Sequence, residues 1–196
     1  MKFSEFLFLV RSDLYRHAGK VGWRPFFYCL VYLPVVMLPG FKYSFFLRLC
    51  AYFRSIRLLR YTLYPLFRLL LYHYECKYGI RIAVTTRIGS GLYIGNYSGI
   101  FVNTNVVIGK NFNISMGVGI GEATRGPRKG AAVIGDNVYI GPGARIVGKV
   151  DIGSNVAIGA NCVVTKDVPE NAVVVGVPGK VISFNGSGDY IQNTDY

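Results

Sequence analysis

The side chains that most often carry catalysis or bind metals are few in this sequence. The 196 residues include only two histidines and four cysteines: His17, His73, Cys29, Cys50, Cys76 and Cys162. No two cysteines form a C-x-x-C pair or have the spacing of a zinc site, so the sequence predicts neither a metal site nor a disulfide framework. Reduced cysteines fit a cytoplasmic protein. The first residues, with Glu5 inside a very short apolar run, make a poor secretory signal.

A six-residue repeat runs through the second part of the chain. The aliphatic positions of its later stretch are Ile134, Ile140, Ile146, Ile152, Ile158 and Val164. An earlier stretch holds Ile82, Ile88, Ile94, Ile100 and Val106, and then slips by two to Ile108, Ile114 and Ile120. A period of six does not suit a helix, and each glycine among these residues would destabilise one by about 1 kcal/mol. The pattern predicts a β-solenoid of somewhat under six coils over residues 79–180.

The repeat is interrupted between Ile120 and Ile134. Residues 121–133 contain glycine, proline and three basic residues, which break the strand pattern. We expect a loop extruded from the solenoid, and loops on rigid scaffolds often carry function. A tolerated surface insertion is the alternative.

Four glycine-rich segments within residues 79–182 resemble the left-handed β-helix hexapeptide acyltransferases, in the branch of serine acetyltransferase and bacterial polysaccharide O-acetyltransferases. They are residues 91–100 (GLYIGNYSGI), 140–148 (IGPGARIVG), 158–169 (IGANCVVTKDVP) and 175–182 (VGVPGKVI). The resemblance implies a mainly β fold, a left-handed parallel β-helix after an α-helical N-terminal region. It also implies a homotrimer that binds acetyl-CoA between neighbouring solenoids, without a metal.

The resemblance further indicates which residues bind the cofactor. Acetyl transfer to a hydroxyl needs a base, donors for the oxyanion and a binding site for the anionic CoA. We expect backbone N–H groups at glycine-rich corners such as residues 119–121 to serve as oxyanion donors. The residues implied for acetyl-CoA are Gly121, Pro142, Ala160, Thr165, Lys166 and Lys180. The alternative for the two lysines is a role as solvated surface charges.

The base is where the sequence departs from the family. Relatives carry an Asp-His pair where this chain has Gly95-Asn96, and a second family histidine would align near Ala131. The implied catalytic position is therefore Asn96, whose amide cannot act as a base near neutral pH. An engineered replacement, a natural loss or rerouting of the step, and a local misalignment are three possible explanations. His73 is the nearest substitute, although such a histidine more often packs at a helix end.

The first part of the chain differs in composition from the second. Residues 1–78 hold 12 basic and 3 acidic residues, 21 of the 29 aromatic residues and 3 of the 24 glycines, whereas residues 79–196 hold 10 basic and 7 acidic residues. This shift predicts a domain boundary near Tyr78-Gly79.

An amphipathic basic helix is predicted between Tyr52 and Leu70, with Pro65 as a kink or boundary. Its apolar stripe is Tyr52, Ile56, Leu59, Leu63, Leu66 and Leu70, and its basic side holds Arg54, Arg57, Arg60 and Arg68. Upstream, the uncharged run from Phe26 to Phe41 is short for a membrane span and is interrupted by prolines. We therefore expect a helix-turn-helix in the membrane interface. Packing on the solenoid or on a second trimer is an equal alternative, and nucleic acid is disfavoured.

These observations lead to one functional hypothesis. The chain is predicted to be an acetyl-CoA-dependent O-acetyltransferase acting on a saccharide hydroxyl in cell-surface polysaccharide synthesis, peripheral at the inner membrane face. A serine O-acetyltransferase and a catalytically silent CoA-binding homologue are the alternatives. The predicted regions are 1–78, helical and interfacial or oligomerising; 79–184, the acyltransferase β-helix; and 185–196, a polar tail that we expect to be a loose end.

Overall fold

A computed structural model describes residues 1–19 and 38–196. Its helices are α1 (Phe3–Ala18), α2 (Pro39–Ser55), α3 (Arg57–Tyr61) and α4 (Leu63–Tyr78). The strands that follow are β1 (Ile80–Ile82), β2 (Arg87–Ile88), β3 (Tyr93–Ile94), β4 (Ile100–Val102), β5 (Val107–Ile108), β6 (Asn113–Ile114), β7 (Gly119–Gly121), β8 (Val133–Ile134), β9 (Tyr139–Ile140), β10 (Arg145–Val147), β11 (Asp151–Ile152), β12 (Ala157–Ile158), β13 (Val163–Val164), β14 (Val173–Val175) and β15 (Lys180–Ser183). A 3-10 turn at Gly188–Tyr190 follows them.

The strands wind into a parallel solenoid with three flat sides. Sheet A is β1-β4-β7-β10-β13, sheet B is β2-β5-β8-β11, and sheet C is β3-β6-β9-β12-β14-β15. The predicted solenoid is confirmed, with five coils. The sequence estimate was slightly high because the loop after β7 adds residues without a coil and β15 folds back antiparallel on β14.

The repeated aliphatic residues fill the core of the solenoid, as their period predicts. Ile134, Ile140, Ile146, Ile152, Ile158 and Val164 are each at most 3% exposed. Asparagines at positive φ form the corner between sheets B and C. Their side chains donate along the stack from Asn111 to Asn137 (2.9 Å), Asn137 to Asn155 (3.0 Å) and Asn155 to Asn171 (3.2 Å). This ladder pairs polar groups that the corner would otherwise leave without partners.

Helices α1 and α2 are attached to the first coil by buried polar side chains. The Asp13 carboxylate accepts hydrogen bonds from Arg48 Nε (3.0 Å) and Nη2 (3.2 Å) and from the backbone N–H of Leu92 (2.8 Å). Arg48 also donates to the carbonyls of Ile88 (2.7 Å) and Gly89 (2.6 Å). This network was not predicted from the sequence. Both helices carry other charged residues as well, so nothing in the sequence singles out Asp13 and Arg48 as a buried pair.

The prediction of one amphipathic helix from Tyr52 to Leu70 is wrong. The chain turns extended at Ile56 (φ −102°, ψ 121°), so α2 ends at Ser55 and a single turn, α3, precedes α4. Pro65 lies in the first turn of α4, where its missing N–H is tolerated, so it marks a helix start as the sequence indicated. The expected apolar stripe is therefore not one continuous face, and its Leu63, Leu66 and Leu70 are exposed.

Most of the uncharged run that suggested a second interfacial helix, from Phe26 to Met37, lies outside the described residues, as does Cys29. Its last residues, from Pro39, begin α2. Within residues 1–19 and 38–196, no helix is both long enough and apolar enough to cross a membrane.

The expectation of a loose C-terminal end is wrong. The Tyr190 ring stacks on Tyr139 with centroids 4.5 Å apart, and the Tyr196 hydroxyl donates to Asn111 Oδ1 at 2.8 Å. Ser187, 1% exposed, donates to the Asn137 carbonyl at 2.6 Å. The polar composition of residues 185–196 gave a misleading signal because these hydrogen bonds and ring contacts anchor the segment along the corner between sheets B and C.

Candidate acyl-transfer site

The predicted site residues lie on two ridges that flank sheet A. The corner from sheet C to sheet A, named the C–A corner, carries Asn96 in coil 1, Pro142 in coil 3 and Ala160 in coil 4. The corner from sheet A to sheet B, named the A–B corner, carries Gly121 in coil 3 and Thr165-Lys166 in coil 5. Strands of three residues separate the ridges by about 10 Å. Within one chain, the predicted site residues therefore form two separate groups. Lys180 belongs to neither, because it begins β15, beyond the last C–A corner.

The C–A corner that carries Asn96 is longer than those below it. Eight positions separate the core residues Ile94 and Val102. Only six separate Ile114 and Ile120, with which they pair in turn. This corner is therefore the physical origin of the two-residue slip in the repeat, which the sequence pattern had placed after Val106. Ser98 (φ 125°) and Gly99 (φ 66°) take backbone conformations that suit a bulged turn. The solenoid thus projects Asn96 from its regular surface.

Asn96 is exposed and makes no side-chain hydrogen bond to any described residue. The backbone around it is fixed, because Gly95 donates to the Ile114 carbonyl (3.2 Å) and the Ser98 carbonyl accepts from Gly117 (2.7 Å). The neighbouring Tyr97 ring meets Tyr78 edge-on, with centroids 5.1 Å apart. The corner therefore exposes the side-chain amide of Asn96 on a backbone that hydrogen bonds hold in place.

Neither histidine lies on the C–A corner itself, since His17 belongs to α1 and His73 to α4. His17 is half-buried between α1 and the first coil, where Nε2 accepts the backbone N–H of Ile94 (3.3 Å) and Nδ1 donates to the Asp13 carbonyl (2.7 Å). Both ring nitrogens are thereby engaged. His73 is exposed on α4 beside the Tyr74 ring.

The loop that the sequence predicted between Ile120 and Ile134 is present at the A–B corner, where it folds into a small hairpin. Ala123 and Gly130 exchange backbone hydrogen bonds of 3.0 and 2.9 Å. Arg128 pairs with Asp167 of coil 5 through Nη1 to Oδ1 (2.6 Å) and Nη2 to Oδ2 (3.2 Å). Hydrogen bonding from Arg128 lowers the pKa of Asp167. The loop is thus held against the corner that carries Thr165 and Lys166.

The prediction that residues 119–121 form a corner of oxyanion donors is wrong at Gly119. This residue lies in β7, and its N–H donates to the Ala144 carbonyl (3.0 Å) within the sheet. Gly121 ends the strand with open space on its side-chain side, because a Cβ there would meet nothing within 4 Å. Gly121 therefore leaves room for a ligand at the root of the loop.

The A–B corner is rich in exposed basic side chains. Arg125 and Lys129 lie on the loop, Lys149 on coil 4 and Lys166 on coil 5. Such a group suits the phosphates of CoA, which carry several negative charges. Lys166, predicted to bind acetyl-CoA, belongs to this basic group.

Comparison with solved structures identifies the family to which this chain belongs. A serine acetyltransferase from Neisseria gonorrhoeae in complex with serine is 30% identical and superposes with a TM-score of 0.70, covering 92% of this chain and 70% of that chain. The chain belongs to the hexapeptide acyltransferase family. The family model described as bacterial transferase hexapeptide (six repeats) matches residues 131–166. The predicted fold class, a left-handed parallel β-helix preceded by helices, is confirmed.

Two further members of this family are similar to the chain. A Brucella abortus serine acetyltransferase in complex with coenzyme A has a TM-score of 0.72 at 27% identity, covering 92% of this chain and 69% of that chain. A serine acetyltransferase from Staphylococcus aureus is 40% identical over 108 residues, which are 55% of this chain and 51% of the relative. The chain thus spans about half the length of the curated relatives that it matches.

The protonation of His17 in this hexapeptide acyltransferase gives a pH-dependent stability. Burial lowers its pKa from the ordinary value of 6.5, with the Arg16 charge adding to the effect and the Asp13 charge opposing it. The unfolded state then binds more protons between the folded pKa and 6.5, so stability is full above about pH 6.5 and falls as pH drops through this window. We expect the unfolding free energy to decrease from pH 7.5 to pH 5.5 and this decrease to shrink in His17→Gln.

The matched control for that measurement is His73→Gln, which removes the exposed histidine of α4. It should keep the pH dependence of the unmodified protein. Equal slopes for His17→Gln and the unmodified protein, measured by denaturant unfolding at both pH values, would show that His17 does not cause the effect.

Proposed function

We propose that this chain is an acetyl-CoA-dependent O-acetyltransferase. The observation that carries the proposal is the shared solenoid with serine acetyltransferases, one of them solved with coenzyme A and one with serine. In support, the basic A–B corner with its anchored loop offers a site for an anionic cofactor. By the same likeness we propose that the protein works as a homotrimer, which would bring the C–A corner of one chain near the A–B corner of another.

The acceptor is the finer part of the proposal. The similar proteins are serine acetyltransferases, which favours the serine alternative over the saccharide that the sequence analysis put first. We therefore propose serine as the first acceptor to test. The saccharide hydroxyl is kept as a second candidate on one observation, the apolar residues that α3 and α4 expose together with arginines: Arg57, Leu58, Arg60, Tyr61, Leu66 and Leu69.

Asn96 limits what the chain can do in the reaction. Its amide can donate to or accept from an acceptor hydroxyl and so orient it, but it cannot remove the proton. Catalysis would rest on positioning and on polar groups that stabilise the oxyanion. A silent homologue that binds CoA without turnover is the outcome if positioning alone is insufficient.

Lys166→Gln tests the cofactor part of the proposal. A charge-assisted hydrogen bond to a CoA phosphate is lost, so we expect acetyl-CoA to bind about tenfold more weakly by titration calorimetry. Lys110→Gln is the matched control, because Lys110 is an exposed lysine at the corner between sheets B and C. Unchanged affinity in Lys166→Gln, or an equal loss in Lys110→Gln, would contradict the assignment.

We also propose a peripheral location at the inner membrane face, through the exposed leucines of α3 and α4 and the exposed arginines of α3. Cosedimentation with anionic vesicles should decrease when Leu58 and Leu69 are replaced by serine. If the protein cosediments with anionic vesicles no better than with neutral vesicles, the membrane location is ruled out. The exposed residues would then be assigned to contacts between chains.

A further inference from the structure

A cavity of about 430 Å³ lies between α4 and the first two coils. It reaches the A–B corner of coils 1 and 2, and the part of that corner assigned to acetyl-CoA lies in coils 3 to 5. Its walls include Arg68 and Glu75 of α4, Arg54 at the end of α2, Arg81 of β1, and Phe101 and Asn103 of coil 2. The volume is within the range of sites for small organic ligands.

The charges that line the cavity are unbalanced. Three arginines face one carboxylate, Glu75, which accepts from Arg68 Nη2 at 3.2 Å. Neither Arg54 nor Arg81 makes an ion pair with any described residue. Two positive charges are therefore left to attract an anion.

One guanidinium N–H is already desolvated and has no partner. Arg68 Nη1 is buried without a hydrogen bond, and the only other such side-chain atom among the described residues is Thr86 Oγ1. A buried donor without an acceptor is costly, and native structures seldom keep one unless a ligand, an ion or water satisfies it. The Arg68 side chain as a whole is 36% exposed and lines the cavity, so a small shift of the guanidinium would offer this nitrogen to an acceptor oxygen.

We propose that this cavity binds the phosphate group of a small ligand. A phosphate offers more acceptor oxygens than a carboxylate and suits several converging guanidinium groups. The cavity is larger than one phosphate needs, and the Phe101 ring and the Asn103 amide can contact the remainder of the ligand. Its source is either a soluble ester or a lipid headgroup, which the two arms of the experiment distinguish, and the site does not rest on acetyl transfer.

Binding of inorganic phosphate and of a hexose phosphate, measured by calorimetry at constant ionic strength against chloride, tests the site. We expect Arg81→Gln and Arg68→Gln to weaken binding at least tenfold, since each removes charge-assisted hydrogen bonds. Arg57→Gln, the matched control, removes an exposed arginine of α3 outside the cavity and should bind as the unmodified protein does. Arg81 is exposed, so its variant is informative even if Arg68→Gln folds poorly.

A second arm uses phosphatidylcholine vesicles with and without phosphatidic acid. Binding to phosphatidic acid alone, lost in Arg81→Gln, supports the site with a lipid as the source of phosphate. The site is overturned if neither probe binds better than chloride or neutral vesicles, or if Arg57→Gln loses as much binding of the soluble phosphates as Arg81→Gln does. It is also overturned if soluble phosphate binding disappears in Lys166→Gln, because the anion then occupies the A–B corner of coils 3 to 5, where Lys166 lies.

Discussion

Replacing Asn96 by histidine is expected to raise the acetyl-transfer rate by about 10² to 10⁴, which corresponds to about 3 to 5 kcal/mol of activation free energy. The corner can accept the change, because the Asn96 side chain is exposed and forms no hydrogen bond with described residues. An imidazole there would take the proton of the acceptor hydroxyl. Its neutral form is the base, so the gained rate should rise as pH increases through about 6.5.

Asn96→Gln is the matched control for this gain. It keeps an amide at the corner and should leave the rate near that of the unmodified protein. If the histidine variant is no faster and shows the same pH profile, Asn96 does not occupy the position of the base. Binding of acetyl-CoA should be unchanged in both variants, which separates a chemical effect from misfolding.

Breaking the Asp13–Arg48 pair is expected to give the largest loss of stability, about 3–5 kcal/mol for Arg48→Met. The Asp13 side chain is fully buried and that of Arg48 is 7% exposed, so removing the arginine leaves a buried carboxylate with the Leu92 N–H as its remaining donor. The Ile88 and Gly89 carbonyls lose their donor at the same time. Denaturant unfolding measures the change.

The double variant Asp13→Leu with Arg48→Met separates the pair from its surroundings. Removing both charges should recover a large part of the loss, because no unpaired charge then stays buried. Arg57→Met, at an exposed arginine, should change stability by no more than about 0.5 kcal/mol. A loss for Arg48→Met as small as that for Arg57→Met would contradict the structural role of the pair.

The solenoid could be predicted because its signal is local and repeated. Aliphatic residues occupy the core positions at a fixed interval, so many positions indicate the same six-residue period. The loop after Ile120 is visible as an interruption of that period. The position at which the repeat slips by two residues was harder to predict. Ile100 and Val102 both point inward on β4, so the sequence pattern could continue through Ile100 and hide the longer corner at Asn96.

The N-terminal helices were predicted less well because their structure depends on distant contacts. The Arg48 guanidinium donates a hydrogen bond to the carbonyl of Ile88, forty residues away in the sequence. No local sequence pattern predicts a contact of this kind. The interruption at Ile56 likewise has no proline or glycine beside it. The cavity beside α4 was not predicted at all. The arginines that line it come from α2, α4 and β1, and no regular interval in the sequence indicates that they lie together.

The most direct test of the central claim is a thiol-release assay with acetyl-CoA and the unmodified protein, with serine, simple sugars and lipid-linked saccharides offered separately as acceptors. We predict release of free CoA that depends on an acceptor hydroxyl, with the acetylated product detected by mass spectrometry. Serine-dependent release would identify the acceptor that the relatives suggest. No acceptor-dependent release from the unmodified protein or from Asn96→His would contradict the proposal that this chain is an O-acetyltransferase.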